Sequence, residues 1–452
     1  MNTNYLALAF VAAKLTLATT TFPQLSLDEQ NQVHEKLAKW KALYGPIAIA
    51  HGFVPSATES LDPDQHSQDE LERFHNTILD VQDAARRNPL ATFSEFNQFA
   101  LLTPDEFKKT LQRSFGDRNT TAVAAPMLST GDAAPVDWST SKCNPPMKNQ
   151  GSCGSCWAFS TVGTVEFADC LATGTLLDLS EQQVVSCDPK NYGCNGGVPP
   201  KAIDWMQQGV CTEDAYPYTS GKSGNTGKCD TSCTKKTLSI GKTQGTSGDS
   251  SLVTVLQAQP ATVIVEAGNS VWRNYKSGVV TQCPGSQSDH AVIAVGLGTS
   301  TADYFKIKNS WGAQWGDNGY IYLKRGVSGK GMCNVVEDIS YPQLSGSPSP
   351  TSHSPSPSTQ QPEPTTPVPS TRPTKKPKTS HTPKTRKPSV SPNPSTNTPS
   401  DTPMPSTSTP SGDDCHGCTG CYSASLSYCL PSGTTQEACK AFDYFQTTWC
   451  GN

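Results

Sequence analysis

Two cysteines stand three apart in NQGSCGSCWAFS, residues 149 to 160, as Cys153 and Cys156, between small residues and an apolar run. That spacing suits a redox dithiol, half of a zinc site, or a disulfide partner beside a reactive thiol. Cysteine parity bears on the choice. Of seventeen cysteines, six fall between Cys415 and Cys450 and eleven between Cys143 and Cys333. Eleven is odd, so full oxidation leaves one thiol over. Cys156 leads into WAFSTVGTVEFADC, a helical stretch whose first N–H groups and dipole favour a thiolate. Cys153 sits in a glycine-flanked loop suited to bridging. The expectation is that Cys156 reacts and Cys153 staples.

A thiolate that attacks an amide also needs a donor to protonate the departing amine, and histidine is the usual one. Of eight histidines, His290 alone lies between Ala133 and Pro342. It opens the apolar run HAVIAVGLG. Shortly after, KNSWG supplies Asn309, whose amide oxygen can hold an imidazole, and Trp311, which can cover that contact.

These residues need a scaffold with a helix start beside strand ends. TVGTVEFADCLATG reads as helix, whereas ATVIVEA, DHAVIAVGLG, YFKIKNSWG and GYIYLKR read as strands with turn residues between them. Early helix and late strands imply an α+β domain in two packed parts, with a cleft at their boundary. Ahead of it, residues 22 to 130 contain no cysteine and read as helices joined by loops. From Asp69, the positions Leu71, Phe74, Ile78 and Val81 form a stripe of period near 3.6 that ends at Pro89. TPDEFKK opens another helix with Thr103 as its cap.

Seventeen cysteines argue for an oxidising compartment, and residues 1–20 carry an apolar run of signal-peptide length interrupted by Lys14. No stretch reads as a membrane span. A net charge of -4 and a pI near 6.1 give no field for nucleic acid.

QGSCGSCWAFS, GCNGG at 193–197, DHAV at 289–292 and KNSWG at 308–312, in that order, resemble the papain family of cysteine proteases in its cathepsin L-like branch. The resemblance implies a papain-like mature domain, with a helical part and a β-barrel-like part, that works without a cofactor or metal. In it Cys156 would be the nucleophile, His290 the general acid/base and Asn309 the residue orienting the imidazole. Gln150 would donate to the oxyanion beside the Cys156 N–H. Substrate backbone would lie along Gly196 and Gly197. Val198, Pro199, Ile264 and Ala291 would line the second specificity subsite, with Asp338 as its floor, and Asp289 and Trp311 would border the site. An acid at 338 implies acceptance of arginine beside bulky apolar residues. The implied bridges are Cys153–Cys194, Cys187–Cys229, Cys211–Cys233, Cys283–Cys333 and, as in the cathepsin B branch, Cys143–Cys170; Cys229 and Cys233 can exchange roles. No histidine-bearing insertion follows GCNGG, which favours an endopeptidase acting on proteins and peptides.

The resemblance also divides the chain: a signal peptide at 1–20, an inhibitory propeptide at 21–132 and the protease at 133–342. Residues 343–412 form a Pro/Ser/Thr-rich linker too poor in apolar side chains to fold, and 413–452 a small disulfide-rich module. The propeptide likeness is clearest in FNQFALLTPDEFKK. Where the family has glycine and aspartate around the Asn-x-Phe core, this chain has Glu95 and Leu101, so acid release through that aspartate lacks its residue here. In the last module, Tyr422, Tyr428, Phe442, Tyr444, Phe445 and Trp449 exceed what so small a core requires. They suggest a stacking face for cell-wall polysaccharide, the alternative being a stapled protein-contact cap. The expected destination is outside the cell or a lysosome-like vacuole. Two rival functions are a thiol-disulfide oxidoreductase using Cys153 and Cys156, and an inactive protease-like binding protein.

Overall fold

The computed structural model describes residues 20–55, 58, 60–111 and 133–344, and the backbone of three short strands near the C-terminus. The signal-peptide expectation, the linker and most of the last module fall outside the described residues. The chain divides into two units, residues 1–356 and 357–452. In the second, Cys421–Ser423 pairs antiparallel with both Tyr428–Cys429 and Thr447–Trp449.

The first unit begins with two long helices, α1 (Leu27–Ala50) and α2 (Gln68–Arg87). Each starts on a reciprocal cap, Ser26 with Glu29 and Ser67 with Glu70, so orphan N–H groups at both helix starts find partners. Within α2, Leu71 and Phe74 are buried and Ile78 and Val81 half-buried, as their period requires. Lys41 of α1 meets Glu70 of α2 at 2.9 Å with both side chains buried. A three-residue strand, β1 (Ala91–Phe93), follows, then α3 (Pro104–Leu111). Thr103 caps α3: its Oγ1 accepts from the Glu106 N–H, and the Glu106 carboxylate accepts from the Thr103 N–H.

From Ala133 the chain forms β2 (Val136–Asp137), then the helices α4 (Cys156–Thr173), α5 (Glu181–Cys187), α6 (Pro199–Met206) and α7 (Ser220–Ser223). The sheet-rich part then contains β3 (Ile240–Thr246), α8 (Asp249–Leu256), β4 (Ala261–Val265), α9 (Ser270–Asn274), β5 (Tyr275–Val280), β6 (His290–Thr299), β7 (Asp303–Lys308), β8 (Tyr320–Lys324) and β9 (Ile339–Leu344). The strands run β1-β5-β8-β7-β6-β4-β9-β3, with β2 on the flank of β6. Every pair is antiparallel except β5 with β8. The sheet thus has an outer strand, β1, drawn from the segment ahead of residue 133.

Helix α4 is buried all along Cys156–Cys170, which is why its sequence is apolar or small apart from Glu166 and Asp169, which accept from the Leu179 and Ser239 N–H groups. It lies so close to β6 that a Cβ on Gly163 would stand 2.5 Å from the Ile293 side chain. Its end is set by Gly174 at φ 79°, a left-handed cap. Five disulfides join Cys143–Cys170, Cys153–Cys194, Cys187–Cys229, Cys211–Cys233 and Cys283–Cys333. The first four lie within the helical part and the fifth within the sheet part. Among the described residues, Cys156 is the cysteine outside every bridge.

Candidate active site

The fold brings three element ends together: Cys156 begins α4, His290 begins β6, and Asn309 follows β7 directly. Cys156 is fully buried in an apolar contact with Ile264 of β4 and Ala291 of β6. As the first residue of an 18-residue helix it occupies the position where the dipole most favours a thiolate.

The loop ahead of Cys156 is held by one phenol. Tyr218 Oη lies 2.8 Å from the Gln150 carbonyl and 2.8 Å from Ser155 Oγ. A carbonyl only accepts, so the phenol spends its proton on Gln150, and Ser155 donates to it in turn. Gln150 is itself buried: Ser310 Oγ donates to its Oε1 at 2.6 Å, and its Nε2 donates to the Cys153 carbonyl at 3.1 Å. A side-chain amide has two N–H bonds, so one remains for another acceptor.

The protonation pattern of His290 follows from Asn309. The Ser310 N–H donates to Asn309 Oδ1 at 2.8 Å, which fixes which atom of that amide is the oxygen. His290 Nε2 lies 2.8 Å from the same oxygen and must therefore carry the hydrogen. In the neutral ring, Nδ1 then has a lone pair, and it is buried without a hydrogen-bond partner. Trp311 stacks on the imidazole, with ring centres 4.9 Å apart at 25°. Burial pushes the imidazole pKa down to about 4, against the upward pull of Asn309. Asp289 accepts from the N–H groups of Ala267 and Gly268, and burial raises its carboxyl to about 6.

Gly197 lacks a side chain for a reason beneath it: a Cβ there would stand 2.4 Å from the Trp157 ring. Its neighbour Gly196 adopts φ 107°, which disfavours any side chain. Val198 caps α6, and Pro199 is buried in the first position of that helix. Asp338 is half-buried, and its carbonyl accepts from the Ile264 N–H at 3.3 Å.

The FNQFALLTPDEFKK segment, quoted from the sequence without a role for its individual side chains, contacts the site from the part of the chain ahead of residue 133. Gln98 donates to the Trp311 carbonyl at 2.9 Å and accepts from Asn149 at 3.4 Å. Phe99 and Phe107 meet the Trp311 ring edge to face, at 5.1 and 5.5 Å. Asn97 donates to Asn274 Oδ1 at 3.1 Å, and Trp40 supports it by donating to the Asn97 carbonyl. Glu95 pairs with Lys36 at 2.8 Å, and Leu101 is fully buried. The residues replacing the expected glycine and aspartate are thus part of the packing of the segment ahead of residue 133.

Behind Asn309, Lys148 stands 2.8 Å from Glu181, 2.7 Å from Asp178 and 3.8 Å from Glu166. Burial raises the Glu166 carboxyl to about 7 and that of Glu181 to about 8, while Lys148 pulls both the other way.

The arrangement places a sulfur at a helix start, an imidazole of fixed tautomer, an amide that orients it and a second amide with a spare N–H. That combination can form and hydrolyse an acyl-sulfur intermediate. The competing dithiol is not formed, because Cys153 is bonded to Cys194. Among the described residues, no group of three or more His, Cys, Asp or Glu side chains could hold a metal ion, and no helix is long and apolar enough to cross a membrane.

Residues 133–343 match the model of papain family cysteine protease. The chain is 31% identical over 360 residues to cysteine proteinase RD21A of Arabidopsis thaliana, covering 76% of each chain. It is 37% identical over 285 residues to chymopapain of Carica papaya, covering 60% of this chain and 79% of that one. Among solved structures, the proform of the Amb a 11 cysteine protease, a ragweed pollen allergen, superposes with a TM-score of 0.58 at 27% identity, covering 69% of this chain and 95% of the other. The recombinant stem bromelain precursor gives 0.56 at 32% identity, covering 67% and 97%.

Proposed function

The chain belongs to the papain family of cysteine proteases and is a cysteine-type endopeptidase made as a zymogen; from that premise we propose how its own residues do the work. Cys156 passes its thiol proton to His290 Nδ1 and attacks the scissile carbonyl as a thiolate. The resulting oxyanion is held by the Cys156 N–H and by the spare N–H of Gln150, a type of contact worth about 3 kcal/mol of barrier. His290 protonates the leaving amine from Nδ1, then takes a proton from the water that opens the acyl-enzyme. Asn309 holds the ring so that Nδ1 faces the reaction. The observation that carries this reading is the Nε2–H to Asn309 Oδ1 hydrogen bond, which leaves a buried, unpartnered Nδ1. Labelling of Cys156 in the acid-matured enzyme by a peptide-mimicking electrophile tests it. Label elsewhere, or cleavage retained in Cys156→Ala, contradicts it.

The segment at 21–132 acts as the intramolecular inhibitor, its Gln98, Phe99 and Phe107 lying on Trp311. Substrate main chain runs along Gly196 and Gly197. Val198, Pro199, Ile264 and Ala291 receive the second residue before the scissile bond, and packing of Ile264 and Ala291 on Cys156 supports this. Asp338 at the floor extends acceptance from Phe or Leu to Arg. Comparing Phe-Arg with Arg-Arg peptides in the parent and Asp338→Ala checks the point; an unchanged Arg preference removes it. The mature enzyme works outside the cell or in a lysosome-like vacuole, and the module at 413–452 tethers it to cell-wall polysaccharide. Retention of the full chain on cellulose, chitin or glucan tests that tether, and retention on none rejects it.

A further inference from the structure

Arg273 lies in α9, next to Trp272. That tryptophan stacks on Trp315, and its ring centre is 6.2 Å from the His290 ring. The Arg273 side chain is only 3% exposed. Its Nη1 donates to the Leu102 carbonyl at 2.8 Å, its Nη2 pairs with the Asp80 carboxylate, and its Nε is buried with no partner. Among the described residues, both acceptors belong to the propeptide. Burial pushes the guanidinium down, and the Asp80 carboxylate is the charge that offsets it. Maturation removes both partners and leaves a protease-domain cation on the residue that follows Trp272.

The side of the cleft follows from the chemistry. His290 must hand its proton to the departing amine, so the half of the substrate that leaves first passes across His290 and Trp311. The propeptide covers the same ground: Gln98 and Phe99 sit on Trp311, and Leu102 sits on Arg273. The Trp272 ring, on the residue before Arg273, has its centre 6.2 Å from that of the imidazole, which sets this short helix on the leaving-group side of the cleft.

We propose that Arg273 is a specificity-determining residue of the mature enzyme, binding an Asp or Glu side chain within the first three residues beyond the scissile bond. Asp80 is the stand-in for that carboxylate in the zymogen, and the Leu102 carbonyl for the accompanying substrate backbone. The guanidinium suits the task because its fork takes a carbonyl and a carboxylate at once, which an ammonium does less well. The inference rests on the peptidase reading above.

The test uses enzyme matured from the full chain and quenched peptides that differ only in Glu or Lys at each of the first three positions after the scissile bond. The expected Glu-to-Lys ratio of kcat/KM is about tenfold at low salt, shrinking as salt is added. The ratio falls to near one in Arg273→Gln and inverts in Arg273→Glu. Lys276→Gln keeps it, so a collapse in that variant would assign the effect to the wrong cation and overturn the proposal. A parental ratio of one, or an unchanged ratio in Arg273→Gln, also overturns it. Should the Arg273 variants not mature, the parental ratio and its salt dependence still decide. Cleavage of both peptides at equal rates sinks this inference alone. Cleavage of neither, with Cys156→Ala indistinguishable from the parent, sinks the peptidase reading beneath it.

Discussion

Replacing Asp80 with Asn should loosen the propeptide, and the structure sets by how much. Arg273 is 3% exposed and Asp80 34%. Removing one partner of a fully buried pair costs about 3–5 kcal/mol, whereas an exposed pair is worth about 0–1. A guanidinium that keeps the Leu102 carbonyl but loses its counter-charge, with a carboxylate one-third wet, falls between these limits at about 2 kcal/mol. That corresponds to an open population about 30 times larger. Cys156 is fully buried in the closed chain, so its alkylation by iodoacetamide at neutral pH reports opening. The full-length Asp80→Asn chain should label about 30-fold faster than the parent. The Asp80→Asn/Arg273→Gln double variant should label more slowly than the two single effects multiplied, because the pair acts as a unit. Equal labelling rates in parent and Asp80→Asn would show that the pair does not hold the propeptide down.

Two further outcomes follow from the site. Gln150→Ala should lower kcat about 100-fold with little change in KM, since the donor acts on charge that develops only after attack; a matching rise in KM with kcat intact would make Gln150 a substrate-binding residue instead. For Glu181, a carboxyl pKa raised to about 8 by burial means that the folded chain holds a proton which the unfolded chain releases above about pH 4.5. Its contribution to stability is therefore greatest in acid and is lost as pH rises from about 4.5 to about 8. Urea unfolding should show Cys156→Ala losing stability relative to Cys156→Ala/Glu181→Gln between pH 5 and pH 8, and a constant difference would contradict that.

What was legible in the sequence was what local pattern carries. The apolar run after Cys156 reads as helix because every face of α4 is buried. The strand runs flanking His290 and Asn309 read as strands for the same reason, and their ends bring those two side chains within 2.8 Å. The Thr103 cap was legible because reciprocal capping is written in four residues. The rest depends on partners far along the chain. β1 is three residues, a strand only because β5 offers an edge. Helix α1 contains Pro46, and local propensity cannot say that the helix continues through it. Asp80 and Arg273 are 193 residues apart, and nothing around either one announces the other. Gln98 likewise reads as an ordinary polar residue until Trp311 arrives.

Because β1 belongs to the propeptide, maturation changes the outline of the sheet itself. The Val279 N–H, bonded at 2.8 Å to the Leu90 carbonyl, and the Asn274 carbonyl, bonded at 2.9 Å to the Ser94 N–H, pass to water. Each enzyme molecule is thus released with a freshly bared edge, the kind of surface through which folded chains stick to one another. This edge carries its own safeguards: the strand it loses is only three residues long, the exposed Lys276 stands on it, and the pairing register slips between Ser277 and Tyr275. The colloidal stability of the processed protein therefore depends on side chains that make no contribution to cutting peptides.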